Sequence, residues 1–302
     1  MVETTGNHPK AKWPGVYKFW GMEYDEHPLE CLDLFDQATS RKAYEELVET
    51  IGYGLAPVKA QNGGITFDDS LQSSVNRATH VAYALGYAVT HEEIEDNLYG
   101  EKAFPRAAAN AFSQRQTKEV VAANFFLNNA FSGGATFGDG KTLLASDHPT
   151  QAGDQSNILA NGADISETAI EDLTVNMMNA KNARGLRIAL IPQSLHVSTS
   201  DWYEANRIMK SVLQNDSANN AVNVLKATNV FPKGIKMNHY FTDTDAWAIR
   251  SGCKSGLTLF DREKIGFSQD NDFSTKNALA ASYTRYSFIF GDWRTLYGTP
   301  GA

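Results

Sequence analysis

The sequence predicts an α+β protein organised around one long helix. Three observations predict it. Residues 105–131 place Ala107, Ala108, Ala111, Phe112, Ala122, Phe125, Phe126 and Phe131 against a polar face of Arg106, Arg115, Lys118 and Glu119. Directly before this run, Val81, Tyr83, Leu85, Tyr87 and Val89 alternate at period two, the pattern of a strand with one buried face. From Gly256 onward the chain is strand-rich. The helix reads as roughly 40 Å long at about 1.5 Å per residue, which makes it a spine to which other parts attach.

The spine has legible ends. Residues 78–90 read as the incoming strand, and Thr90-His91-Glu92-Glu93 as a helix start. Thr90 can accept from the Glu93 N–H while Glu93 reaches back. Pro105 suits a first helical position, and Gly133-Gly134 terminates the run.

In chain order, residues 1–40 read as irregular, broken by His8-Pro9 and Trp13-Pro14-Gly15. They are nonetheless dense in aromatics: Trp13, Tyr17, Phe19, Trp20 and Tyr24. A disordered tail is poor in aromatics, so this segment reads as an arm that docks, on its own domain or on a neighbour. Ser40–Ile51 reads as a short amphipathic helix, with Ala43, Tyr44, Leu47, Val48 and Ile51 at helical spacing. Asn62-Gly63-Gly64 marks a turn between two strands, Leu55–Gln61 and Ile65–Phe67. With the polar stretch 68–79 and the strand that follows, this makes a two-stranded excursion returning to the spine. Such a ribbon is marginal alone in water, so it is expected to lie on something else.

After a Gly- and Asp-rich region over 132–164, Ile165–Arg184 reads as a helix begun by Ser166 and stopped by Gly185. Leu186–Ile191 and Leu195–Val197 read as strands with Pro192 between them, and Ser200-Asp201 as the cap of a helix reaching Leu213. A polar loop, 215–220, separates it from strands at 222–231, 235–241 and 246–249. The final strands are 257–260, 265–267 and 279–290, with an acidic turn at Gln269-Asp270-Asn271-Asp272.

Composition bounds function. The 302 residues carry 42% hydrophobic and 11% aromatic side chains, enough for a sizeable core in one large domain or two ordinary ones. The formal net charge of -8 argues against a dedicated DNA binder, which needs phosphate neutralisation, but not against a protein that encloses nucleic acid. Cys31 and Cys253 fit no metal or redox spacing and read as reduced thiols of a cytoplasmic protein. No apolar run reaches membrane-spanning length, and no secretory signal is present.

The candidate chemistry is thin. Gly138, Gly140, Lys141 and Thr142 echo a phosphate-binding loop, but Ala135 stands where its first Gly belongs and the loop follows a helix instead of opening one. The His91-Glu92-Glu93-Glu95-Asp96 cluster lacks the second His of a zinc helix and suits a helix N-terminus. His148 in Ser146-Asp147-His148-Pro149, and the pairs Asp243/Asp245 and Asp270/Asp272, read as turn residues. No catalytic residue, cofactor site or metal site is expected.

Tyr83–Asn97, with Gly86-Tyr87 and Thr90-His91-Glu92-Glu93, resembles the return strand and following helix of tailed-phage major capsid proteins of the Hong Kong 97 type. Three stretches follow in the family's order: Gly140–Pro149 with Gln155–Leu159, Leu190–Val197 through Lys210-Ser211, and Leu279–Gly298 with Arg285 and Trp293-Arg294-Thr295. The resemblance implies an N-terminal arm (1–51), an extended E-loop hairpin (52–90), a peripheral domain (91–150 and 255–302, spine helix about 104–132) and an axial domain (151–254). It implies a subunit that assembles with itself as hexamers and pentamers of an icosahedral virion shell around double-stranded DNA, without sequence-specific binding and without a membrane. Assembly would take place in the host bacterial cytoplasm with a separate scaffolding protein and a portal, with room for a decoration protein. In some relatives a lysine and an asparagine crosslink neighbours; Lys59 and Asn62 lie in the E-loop, but no motif makes them equivalents.

Arm and ribbon make Trp13, Tyr17, Trp20, Lys59, Asn62, Phe67 and Arg77 the candidates for intersubunit contact. Asn215, Asp216 and Asn219 are candidates for a loop facing the capsomer axis. The alternatives are an encapsulin-like compartment of the same fold and a nucleotide hydrolase using Lys141 and Thr142.

Overall fold

A computed structural model of the chain describes residues 13–96, 99–133, 136, 138–213, 221–272 and 274–302. Over 13–39, where an irregular arm is expected, the chain forms α1 (Trp13–Glu26), α2 (Cys31–Leu34) and β1 (Asp36–Thr39); residues 1–12 lie outside the described residues. Pro14 falls in the first turn of α1, where its missing N–H is harmless, and Val16, Trp20 and Tyr24 recur every four residues along one side. The expected helix at 40–51 is instead β2 (Tyr44–Ile51), whose exposure alternates strictly. Its Tyr44/Val48 spacing fits a helix equally well, and pairing with β3 (Leu71–Thr79) decides the matter. The turn at Asn62-Gly63 forms, with Asn62 at φ 63° and the Gly63 N–H donated to Ala60 O at 3.0 Å. No strands flank it: Pro57 sits inside the expected first one and removes a ladder donor.

β4 (Val81–Val89) and α3 (His91–Glu95) follow. Thr90 Oγ1 accepts from the Glu93 N–H at 3.3 Å, the expected cap, while the Glu93 carboxylate grips the Arg106 guanidinium through two 3.0 Å bonds. The spine α4 (Tyr99–Ala123) starts before Pro105, which lies inside it, and continues as one π-helical turn over Asn124–Asn128. α5 (Glu167–Met178) starts at the predicted Ser166, whose side chain accepts from Ala169 N. It ends early because Asn182 Oδ1 accepts from both Arg184 N and Leu186 N, making a turn in which Gly185 sits at φ +83°.

β5 (Pro192–Val197) begins at the proline expected to interrupt it, a position where the missing donor is tolerated; residues 186–191 form no strand of their own. α6 (Trp202–Lys210) is shorter than expected. The expected strand at 222–231 is α7 (Val224–Thr228), capped by Asn223 and closed by Asn229 at φ 48°. β6 (Ile235–Met237), β7 (Trp247–Ser251), β8 (Leu257–Asn271), β9 (Ala278–Phe290) and β10 (Leu296–Thr299) complete the chain, with the two short strands expected at 257–267 merged into β8.

The chain forms two compact units. The first comprises Met1–Ala43, Thr79–Ala122 and Leu259–Ser287. Its sheet has the order β1-β8-β9-β4, with β4 antiparallel to β9 from Val81↔Tyr286 to Val89↔Ala278. Trp20, Val89, Ala107, Ala111, Phe267 and Ala280 form its core. Asn110 on α4 accepts from Trp20 Nε1 at 3.0 Å and donates to Leu85 O at 2.9 Å, tying α1, α4 and β4 together. A buried pair, Lys118 Nζ to Asp261 Oδ1 at 3.0 Å, lies between α4 and β8.

The second unit comprises Tyr44–Ala78, Ala123–Thr258 and Phe288–Ala302. Its sheet runs β10-β7-β5-β6, with β5 and β6 parallel. Ile170, Leu173 and Met177 of α5 pack with Leu195, Trp247 and Ile249 in its core. The π-turn is held by Asn128, which donates to Tyr240 O and accepts from Thr242 N, each at 3.0 Å. Asn157, fully buried, accepts from Ala145 N at 2.9 Å and donates to Leu143 O at 2.7 Å and Leu296 O at 3.0 Å.

Candidate intersubunit surface

The ribbon β2–β3 and the segment 52–70 that it carries form the most exposed apolar part of the described chain. Tyr53, Leu55, Val58, Ile65 and Phe67 are 63, 81, 100, 71 and 91% exposed. A soluble monomer rarely presents so many large apolar side chains together. The predicted candidates Lys59, Asn62 and Phe67 all lie exposed on this segment. Arg77 is exposed on β3, paired with Glu46 at 2.5 Å and stacked over the Tyr44 ring at 4.4 Å.

The root of the ribbon is built quite differently. Glu49 Oε2 accepts from Ser74 Oγ at 3.2 Å, and Glu49 Oε1 meets Arg294 Nη1 at 3.2 Å. Arg294 is buried, held also by Asp292 at 3.0 Å and by Lys181 O at 2.8 Å, and lies over the Trp293 ring. Asn76, likewise buried, donates to Phe290 O at 2.9 Å and accepts from Gly138 N at 2.9 Å. The result is an exposed tip on a fixed base.

That base explains the glycines of the phosphate-loop echo. A Cβ on Gly138 would lie 2.5 Å from Val75 N, so glycine is there to let β3 approach. Gly140 sits at φ +77°, a backbone that glycine suits. Lys141 pairs with Asp147, and His148 Nδ1–H donates to Asp139 Oδ2 at 2.7 Å while the ring stacks on Trp293 with the rings 1° from parallel. Loop anchoring accounts for every one of these side chains.

Other titratable groups are structural in their surroundings. Burial pushes the Cys31 thiol up to about 12, with Glu119 adding to it, and burial with Asp292 does the same to Cys253. Burial pulls His196 down to about 3, with Arg250 contributing; its Nε2 is 2.8 Å from Ser194 Oγ. Among the described residues, no group of three or more His, Cys, Asp or Glu side chains is placed to hold a metal ion, and no helix is long and apolar enough to cross a membrane.

The arm candidates divide. Tyr17 is 57% exposed, and Trp13 is the first residue of α1. Trp20 is an internal residue: it is 5% exposed, stacked on Phe267 at 5.2 Å and on Tyr24 at 5.4 Å. Its ring packs within its own unit, on Phe267 far along the chain. Asn215, Asp216 and Asn219 lie outside the described residues. No local pattern marks Glu49, Asn76, Asp68 or Arg184 as site residues, since the partners that fix them lie 62, 116 and 245 positions away.

A family model described as phage capsid protein, Phage_capsid_4, matches residues 75–298. No curated protein matches the sequence significantly. Among solved structures, the chain is similar to the capsid of a native GTA particle, with a TM-score of 0.55 and 11% identity over 91% of either chain. It is similar to the capsid of Myoviridae phage XM1, with a TM-score of 0.53 and 12% identity over 89% of either chain. It is also similar to a virus-like particle from Pyrococcus furiosus, with a TM-score of 0.50 and 8% identity over 94% of this chain and 97% of that one.

Proposed function

The chain belongs to the phage capsid protein family and has the Hong Kong 97-type fold, and from that premise we propose that it is a major head subunit that builds a closed icosahedral shell of hexamers and pentamers around double-stranded DNA. Its role is structural, with no catalysis. The observation that carries the reading is the tip of the ribbon. Leu55, Val58, Ile65 and Phe67 stand exposed on a segment whose base is fixed by buried polar contacts. Such a segment buries its apolar surface on another copy, and repeated heterologous contacts close into rings. In this reading 1–51 form the N-terminal arm and 52–90 the E-loop. Residues 91–150 with 255–302 form the peripheral domain, and 151–254 the axial domain with the 215–220 loop at the capsomer axis. The net charge of -8 suits a wall that contains DNA without gripping it.

Expression alone and with a scaffolding protein, followed by negative-stain microscopy, tests this. Hollow shells are the expected result; soluble monomers under both conditions refute it. An encapsulin-like compartment has the same fold, and nuclease-protected DNA inside particles made during infection separates the two. Nucleotide turnover abolished by Lys141→Ala would restore the hydrolase alternative. The pairing of Lys141 with Asp147 argues against it.

A further inference from the structure

Segment 52–70 has a neck. The Asp68 carboxylate accepts from the Gly54 N–H at 2.8 Å and from the Asp69 N–H at 2.9 Å. Both of its oxygens lie 3.2 Å from Arg184 Nη1, and Arg184 Nη2 donates to Asp69 O at 2.5 Å. One carboxylate therefore closes the segment end to end, from residue 54 to residue 68, and fastens the closed neck to a second element. That element is rigid. Arg184 sits in the Asn182-organised turn, its own N–H bound to Asn182 Oδ1, and Ala183 O accepts from Ala152 N at 3.1 Å.

We propose that Asp68 and Arg184 form a positioning clamp that closes the neck of this segment and fixes the direction from which Val58 and Phe67 meet a second copy of the chain. The proposal rests on the reading of the segment as an assembly contact. It is distinct from fold stability, because the pair sits at the surface, with side chains 42 and 20% exposed, where ion pairs contribute little. No residue of either hydrophobic core is held by it. What it changes is the freedom of the residues between: an unclamped segment must be ordered when it docks, and that ordering weakens binding.

The test uses full-length subunits carrying Asp68→Asn, Arg184→Gln, or the exchange Asp68→Arg with Arg184→Asp. Each single variant is expected to melt within about 2 °C of the parent, a surface-pair effect. Trypsin cleavage after Lys59 in unassembled subunits is expected to speed up several-fold. The concentration needed for half-maximal particle yield is expected to rise about tenfold, and the exchange recovers much of both losses. Single variants that match the parent in Lys59 cleavage and in assembly overturn the clamp. Val58→Ser and Phe67→Ser separate the two levels of the argument. If they block particles while the clamp variants do not, only the clamp is wrong. If they too assemble normally, the segment is not the contact and the underlying reading falls with it.

Discussion

Arg294 and Glu49 meet at the root of the exposed ribbon, Nη1 to Oε1 at 3.2 Å, with the arginine side chain 1% exposed and the glutamate 21%. The pair joins β2 to the penultimate turn of the chain, 245 residues away. Removing one partner of a buried pair costs about 3–5 kcal/mol. Asp292 remains 3.0 Å from the same nitrogen, so Glu49→Ala is expected to cost about 2 kcal/mol. Denaturant melts of the unassembled subunit measure it, and a loss under about 0.5 kcal/mol, the surface range, counts against the anchor.

Thr90→Ala removes the acceptor for the Glu93 N–H at the junction of β4 and α3. The expected loss is about 1 kcal/mol, read as a fall of about 2–4 °C in Tm, together with a lower yield of shells. Unchanged melting and yield would mean that the Glu93–Arg106 pair holds the junction unaided.

Asn157→Asp keeps the shape and removes the donor. The new carboxylate would face Leu143 O and Leu296 O inside the core with no proton to give. A loss above about 3 kcal/mol is expected, larger than for Asn157→Ala, as scanning calorimetry would show. An alanine variant that is the worse of the two would contradict the donor role.

One buried group, His196, and one half-buried group, Asp201, pull stability in opposite directions with pH. His196 is held near 3 in the fold against an ordinary 6.5, so only the unfolded chain takes up the proton between these values. Acidification from pH 6.5 toward 3 therefore destabilises the fold through this group, and above 6.5 it has no effect. Asp201 is raised by burial and by Asp245 to about 6 from 3.8, so the folded state holds its proton longer and stability is lost as pH rises through that window. In melts from pH 4.5 to 7, His196→Gln is expected to flatten the acid loss, and Asp201→Asn to gain most at pH 7. Parallel curves for parent and variants would show that neither group titrates as placed.

What could be read in advance follows from where the partners lie. Thr90, Ser166 and the Asn62-Gly63 turn were legible because each bonds within a few residues of itself. β2 reads as a helix because Tyr44, Leu47, Val48 and Ile51 recur at helical spacing, and only pairing with β3, more than twenty residues on, makes it a strand. The burial of Trp20 has the same origin: Phe267 stacks on it, and no local pattern announces that. The candidates Lys59, Asn62 and Phe67 lie on an exposed segment, whereas the Asp68–Arg184 neck spans 116 positions. The glycines of the phosphate-loop echo have a related origin. Gly138 answers to Val75, a close approach between distant backbones, and the neighbouring Lys-Thr merely completes an accidental likeness.

The division into two units has a consequence for how the protein is made. The chain crosses the boundary at 43/44, 78/79, 122/123, 258/259 and 287/288. The first unit's sheet needs β9 beside β4, so it cannot close until residue 286 has left the ribosome. Pairings this distant in sequence make folding slow. The apolar tip at 55–67, by contrast, is synthesised in the first quarter of the chain, long before the neck partner Arg184 exists. A nascent subunit thus carries its stickiest segment unclamped through most of translation, and the interleaved order of its parts is where chaperone dependence during a burst of synthesis would originate.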